Sequence, residues 1–331
     1  MEGPDPGGPR GTFAFGRRAR LVLRRVPVWA WRLLMRAVRD GEISRFNVDP
    51  VASVQHWPEM DFTGHEASAA QRLDVMAPDP APQGLLPVYV YFHGGGWTSG
   101  DKASLTKYCA SQAAAGMVVV NVNYRKAPRF HLGHVLQDAN AALGWVRHNI
   151  ERFGGDPLRV VLGGDSAGGQ VAALITAATF RPLLARHYDL APALPAAHLR
   201  GLVQHCSVAD FSVCFDPGFV LSLNFIRMLI PTGGDAKDRL PLREAAHYMS
   251  PIEWLDSRCP PVFITTSERD FFYTANLNLI ASLERHGVVV EKMVYGWNSP
   301  NTEHTWQQNF RFPESQEVYR RLQSFVSKVA H

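Results

Sequence analysis

The chain has 331 residues, 46% of them hydrophobic, enough to bury a large core in one α/β domain with elaborations and too apolar for a disordered protein. Acidic residues number 30 against 34 basic ones, a net charge of +4, so charge gives no global reason to expect a nucleic-acid partner. Cys109, Cys206, Cys214 and Cys259 lie far apart, with no CxxC pair and no His/Cys ligand spacing, so neither a metal site nor a disulfide framework is expected and the thiols read as those of a cytoplasmic protein.

The Pro/Gly-rich start, MEGPDPGGPR, reads as a disordered tail. In the stretch that follows, Arg24, Arg25, Arg32 and Arg36 interrupt every apolar run before it reaches signal-peptide or membrane-spanning character. From Val28 the residues Val28, Trp31, Leu34, Met35 and Val38 share one helical face, and Asp40-Gly41 reads as the stop. Such a helix can pack over the domain, or lie peripherally on an anionic membrane with Trp29 and Trp31 at the headgroups. The expected organisation is an N-terminal segment with cap helices over 1–60 and a catalytic domain over 61–331.

Arg72–Pro78 alternates as a half-exposed strand. Leu86–Phe92, Met117–Tyr124, Leu158–Gly164, Leu199–Cys206, Pro261–Ser267 and Val288–Tyr295 are short β-rich runs. They alternate with the helix-compatible stretches Val135–Ile150, Ala167–Phe180, Thr274–His286 and Glu314–Val329, which predicts a mainly parallel sheet covered by helices on both faces. The segment 210–250 is too long for a plain connection and reads as a cap insertion on the ligand side.

In VVLGGDSAGGQVAALI (Val160–Ile175) a strand feeds a helix through Gly164-Asp165-Ser166-Ala167-Gly168. A turn this sharp needs glycine on both sides and lifts the Ser166 hydroxyl above the sheet edge, with a helix N-terminus aimed at the same place. A serine nucleophile needs a base and a group to orient it. Asp270 follows the strand ending near Ser267, with Glu268 as the competing acid, and His304 lies in a loop before the last helix, in the order this architecture requires. The glycine run in YFHGGGWTSGDK leaves the amides of Gly94, Gly95 and Gly96 unobstructed beside a substrate, and Ala167 offers another N–H to a developing oxyanion. Trp97, Phe211, Phe215, Phe219 and Phe225 are candidates to shape an acyl pocket, and His205 could line it.

With HGGG at His93–Gly96 and GDSAGG at Gly164–Gly169, the chain resembles the hormone-sensitive lipase family of α/β-hydrolases, a group of bacterial and mammalian carboxylesterases. The likeness extends over most of Arg72 to Val329 through RLDVMAP, NYRKAP, Asp138 with ALGWV, and SPIEWL…PPVFITTSERD. It implies the α/β-hydrolase fold with a helical cap, Ser166 as nucleophile, Asp270 as orienting acid, His304 as base, and oxyanion donors from Gly94–Gly96 and Ala167. His93 and Asp165 become braces of the loop and the elbow. No cofactor or metal is implied, and a homodimer is allowed. Short- to medium-chain acyl esters are the implied substrates. An amidase or aryl-formamidase, a membrane-associated lipase and a non-catalytic binding homologue are the alternatives. The chain departs from the family pattern at Arg129, at Leu132-Gly133, at Phe271-Phe272-Tyr273 after Asp270, and at the EHTW around His304.

Overall fold

A computed structural model describes residues 29–30, 33, 41–64, 68, 70–216, 223–231 and 240–330. Eight strands form one sheet: β1 (Val54–Asp61), β2 (Arg72–Pro78), β3 (Leu86–Phe92), β4 (Val118–Val122), β5 (Gly155–Asp165), β6 (Leu199–His205), β7 (Val262–Ser267) and β8 (Val290–Tyr295). Their spatial order is β1-β2-β4-β3-β5-β6-β7-β8. The β1–β2 and β2–β4 pairs are antiparallel and the rest parallel. Every residue of VVVNV in β4 is buried, as expected for a strand covered on both faces.

Helices Leu132–Asn149 and Ala167–Ala178 join one large hydrophobic cluster with the sheet, while Thr106–Ala113 and Pro313–Val329 contribute to the cluster that includes Tyr89, Tyr91 and Phe263. All twelve residues of Ala167–Ala178 are buried, and the apolar residues of AGGQVAALITAA surround the helix rather than forming a stripe.

Residues 41–46 are helical, while Asp40 of the expected Asp40-Gly41 stop lies outside the described residues. One expectation is corrected here. The boundary placed at 60/61 cuts through β1, which is paired with β2 from Val54↔Pro78 to Asp61↔Arg72, so 54–60 belong to the sheet. Pro58 hid this strand, because proline removes a ladder hydrogen bond. It is tolerated here because β1 is an edge strand with a register shift between Trp57 and Met60, where Glu59 takes a φ of +59°.

The Pro/Gly-rich start and the apolar face Val28, Trp31, Leu34, Met35 and Val38 lie outside the described residues, as do 217–222 and 232–239 of the expected cap. Of the cap, Phe211–Phe215 forms a 3₁₀ turn, and Leu223–Leu229 and Leu242–Met249 are helices. No helix among the described residues is long and apolar enough to cross a membrane.

The parallel register brings the functional loops to one edge. Phe92 of β3 pairs with Gly164 of β5, Asp165 with His205 of β6, and His205 with Thr265 of β7. The HGGG loop, the serine turn and the loop carrying Asp270 therefore emerge side by side at the carboxyl ends of the strands, where ligands of open α/β sheets bind.

Candidate active site

Ser166 sits between β5 and the helix Ala167–Ala178 with φ +50° and ψ −119°, a strained conformation for a non-glycine residue. The turn closes because its neighbours lack side chains. A Cβ on Gly164 would lie 2.6 Å from the Phe92 carbonyl oxygen, and one on Gly168 would lie 2.0 Å from that oxygen and 2.5 Å from the His93 carbonyl oxygen. Both obstacles are backbone and cannot swing aside.

Asp270 and His304 meet although 34 residues separate them: the imidazole Nδ1 lies 2.8 Å from Asp270 Oδ1. Asp270 is buried and held from several sides, by the Phe272 amide at 3.0 Å on Oδ1 and the Thr266 hydroxyl at 3.2 Å on Oδ2. A carboxylate held by these donors fixes the orientation of the ring. Glu268, the competing acid, points away and accepts the Trp297 amide at 2.7 Å. His304 and Ser166 line one cavity of about 280 Å³, together with Glu42, the three glycines Gly94–Gly96, Asp101, Asp165, Phe271 and Gln308. Among the described residues no hydrogen bond joins the serine hydroxyl to the ring at rest; such bonds commonly tighten only with substrate.

The amides beside the serine divide into two groups. Gly94 N–H donates to Asp165 Oδ1 at 3.1 Å, so it is not free for an oxyanion, which corrects the expectation for Gly94. Gly95 and Gly96, both with positive φ, and Ala167 make no such hydrogen bond among the described residues and remain as donors.

Asp165 is the hub of the bracing. Besides Gly94 it accepts the Tyr91 hydroxyl at 2.8 Å and the Gln308 side-chain amide at 2.9 Å. Burial pushes its carboxyl up to about 6 against the pull of these donors and of His304. His93 lies stacked on Tyr124 with its Nδ1 2.6 Å from the Gly94 carbonyl oxygen. Burial, aided by Lys126, pushes its pKa down to about 3, so the ring is neutral and braces the glycine loop.

The Cys206 sulfur, Asp270 and His304 lie within 4.8 Å of one another, a grouping of metal-ligand types. Burial and the nearby Asp270 charge hold the Cys206 thiol well above its ordinary range, so it stays protonated beside Asp270. A metal needs the thiolate and would compete with His304 for the carboxylate, so these residues fit the hydrogen-bonded arrangement better than a metal.

Residues 89–307 match a family of proteins described as having the alpha/beta hydrolase fold. The chain belongs to that α/β-hydrolase family. Esterase LipQ of Mycobacterium tuberculosis is 29% identical over 199 residues, covering 58% of this chain and 44% of LipQ. The probable N-octanoylanthranilate hydrolase AqdA2 of Rhodococcus erythropolis is 44% identical over 113 residues, covering 31% of this chain and 25% of AqdA2. The chain thus spans less than half the length of either curated relative. The crystal structure of esterase B from Lactobacillus rhamnosis superposes with a TM-score of 0.82 at 22% identity, covering 93% of this chain and 96% of that one. Within the α/β-hydrolases, HGGG and GDSAGG place the chain with the hormone-sensitive lipase type.

The residues expected to shape an acyl pocket in this α/β-hydrolase are absent from the lining of the serine cavity. Trp97 is buried in the core, its indole N–H donating to Gln170 Oε1 at 2.7 Å and its ring 5.7 Å from that of Phe211, also buried. Phe215 packs against the same core under the guanidinium of Arg243. His205 lies within the sheet between the Tyr108 hydroxyl at 2.9 Å and the Thr265 hydroxyl at 2.8 Å, and burial pushes its pKa down to about 3. Phe219 and the Phe225 side chain are outside the described residues. Aromatic character did not distinguish pocket from core at these positions.

The residues that do line the cavity include two that sequence reasoning missed. Phe271 packs tilted against His304 with ring centroids 4.0 Å apart, and its place in the unusual Asp-Phe-Phe-Tyr run was the available signal. Glu42 reaches the cavity from 41–46, and nothing in its sequence neighbourhood pointed there.

Proposed function

We propose that the protein is a serine carboxylesterase acting on short- to medium-chain acyl esters through Ser166, His304 and Asp270. The observation that carries this reading is the 2.8 Å pairing of buried Asp270 with His304, whose ring lines the same cavity as a serine on a strained strand-to-helix turn. His304 takes the hydroxyl proton as Ser166 attacks the ester carbonyl, and the oxyanion settles against the amides of Gly95, Gly96 and Ala167. His304, held by Asp270, then protonates the departing alkoxide, and water cleaves the acyl-enzyme by the same route. A cavity of about 280 Å³ supports small acyl groups over long lipid chains.

The test is an acyl-chain profile on nitrophenyl esters beside Ser166→Ala. The expected result is turnover greatest on short or medium chains, and a fall of about ten-thousand-fold or more in the variant. Wild-type protein that neither turns over these esters nor is labelled at Ser166 by an organophosphate would instead be a binding homologue. The name of AqdA2 favours one second reading, N-acyl substrates on the same machinery. Matching anilides decide it, because an amidase retains activity on them whereas an esterase loses most of it.

A further inference from the structure

The acid residues of the serine cavity have no assigned part in the chemistry above. Glu42, Asp101 and Asp165 line it, and no lysine or arginine does so among the described residues. Two of the three carboxylates are engaged: Asp165 accepts three donors, and Asp101 accepts the Ala103 amide at 3.0 Å. Glu42 differs. It is half-buried, has no side-chain hydrogen bond or ion pair among the described residues, and has burial and the Asp165 charge pushing its pKa up against the opposing pull of Arg45.

The position of Glu42 is built rather than incidental. The segment that carries it is tied to the next layer by Asn47, whose side chain donates to the Ala103 carbonyl at 2.6 Å and accepts the Lys107 amide at 2.9 Å. Lys107 in turn reaches the Asp49 carbonyl oxygen. A partly desolvated carboxylate without a partner, facing a second carboxylate, is a costly arrangement, and such arrangements concentrate at binding sites. Phe271 adds an aromatic surface to the same cavity, 39% exposed beside His304. A carboxylate with an aromatic face is the combination that receives ammonium groups.

We infer that this cavity selects esters carrying a positively charged, ammonium-type group, with Glu42 as the counter-charge. The inference rests on the carboxylesterase reading and names its substrate class. Because the cavity is small, the charge must lie within a few bonds of the ester carbonyl, as in an ester of an amino alcohol. One competing role has to be separated. His304 becomes positive during the reaction, so Glu42 could instead favour the imidazolium, which would serve every ester equally.

Trimethylammonioethyl butyrate and its uncharged isostere, in which carbon replaces the ammonium nitrogen, have the same shape and separate the two roles. At low salt and mildly alkaline pH, kcat/KM should favour the charged ester by about tenfold. Glu42→Gln should bring the ratio close to one, and Arg45→Gln, which removes an exposed opposing charge, should widen it. A wild-type ratio near one overturns the inference, as does a ratio that survives Glu42→Gln or a Glu42→Gln loss equal for both esters. Loss of nitrophenyl butyrate hydrolysis in wild type would sink the esterase reading separately. Calorimetry with tetramethylammonium then still decides the inference, which requires binding to the wild type and at least several-fold weaker binding to a folded Glu42→Gln variant.

Discussion

At Ser166 the backbone is bent so that one hydroxyl stands clear of the sheet, and the glycines around it carry the steric cost. In Gly168→Ala the new methyl would meet two carbonyl oxygens of the β3 end, at 2.0 and 2.5 Å, so the elbow must open. The expected loss is about 3 kcal/mol in urea unfolding, with activity falling further than stability explains. Asp270→Asn keeps the shape of the site but presents an amide to Nδ1, so kcat should drop about ten-thousand-fold with little change in KM. Asp165 has a folded pKa of about 6, above the ordinary value of 3.8, so folding favours its protonated form. That stabilisation is full below the ordinary carboxylate range and disappears as pH rises through about 6. Relative to Asp165→Asn, which has no charge to bury, the wild type should therefore lose on the order of 3 kcal/mol between a pH below the ordinary carboxylate value and one above about 6. Paired urea titrations across that range check the sign; equal slopes for the two proteins would contradict it.

Among the elements, the antiparallel edge is held by a buried charge cluster as well as by strand pairing. Lys102, almost fully buried, donates to Asp74 Oδ1 of β2 at 2.6 Å and to Glu59 of β1. Burial works to raise the Asp74 carboxyl, but hydrogen bonds from His56 and Lys102 hold it below its ordinary range. Lys102→Met leaves Asp74 without its buried countercharge and should cost about 3–5 kcal/mol in chemical denaturation. Only part of this edge was legible in the sequence: β2 was expected as a strand at Arg72–Pro78, but Pro58 interrupts β1, and a pairing between Lys102 and Asp74 has no local signature. The central strands were legible to within a few residues, because runs such as VVVNV and VFITTS are buried on both faces and admit little else. The helix Leu132–Asn149 begins three residues before the stripe read from the sequence, which buried Leu132 extends by one turn on the same face.

For the molecule as a whole, all four cysteines are free thiols and buried. Burial raises each of them, Cys214 and Cys259 to about 12 and Cys109 and Cys206 well above their ordinary range. The native protein should therefore show almost no thiol reacting rapidly with a disulfide reagent, and unfolding in denaturant should release all four. The same burial sets the scale of the site. Loops from β3, β5 and β7 and a segment from 41–46 converge on a cavity of about 280 Å³, so a chain of several hundred residues serves to hold a handful of atoms in place.

The parallel sheet was readable from sequence alone, as were the residues proposed here as nucleophile, acid and base. Each depends on local chemistry: the glycines a sharp turn requires, strand runs buried on both faces, and the order in which an acid and a histidine follow the serine. Only the tertiary structure decided which amides stay free, that Gly94 is tied to Asp165, that Trp97, Phe211 and His205 are core, and that Glu42 lines the cavity of the serine. These are matters of which distant atoms share a few ångströms of space. Hydropathy cannot report them, because a buried aromatic in a core and one in a pocket satisfy the same pattern.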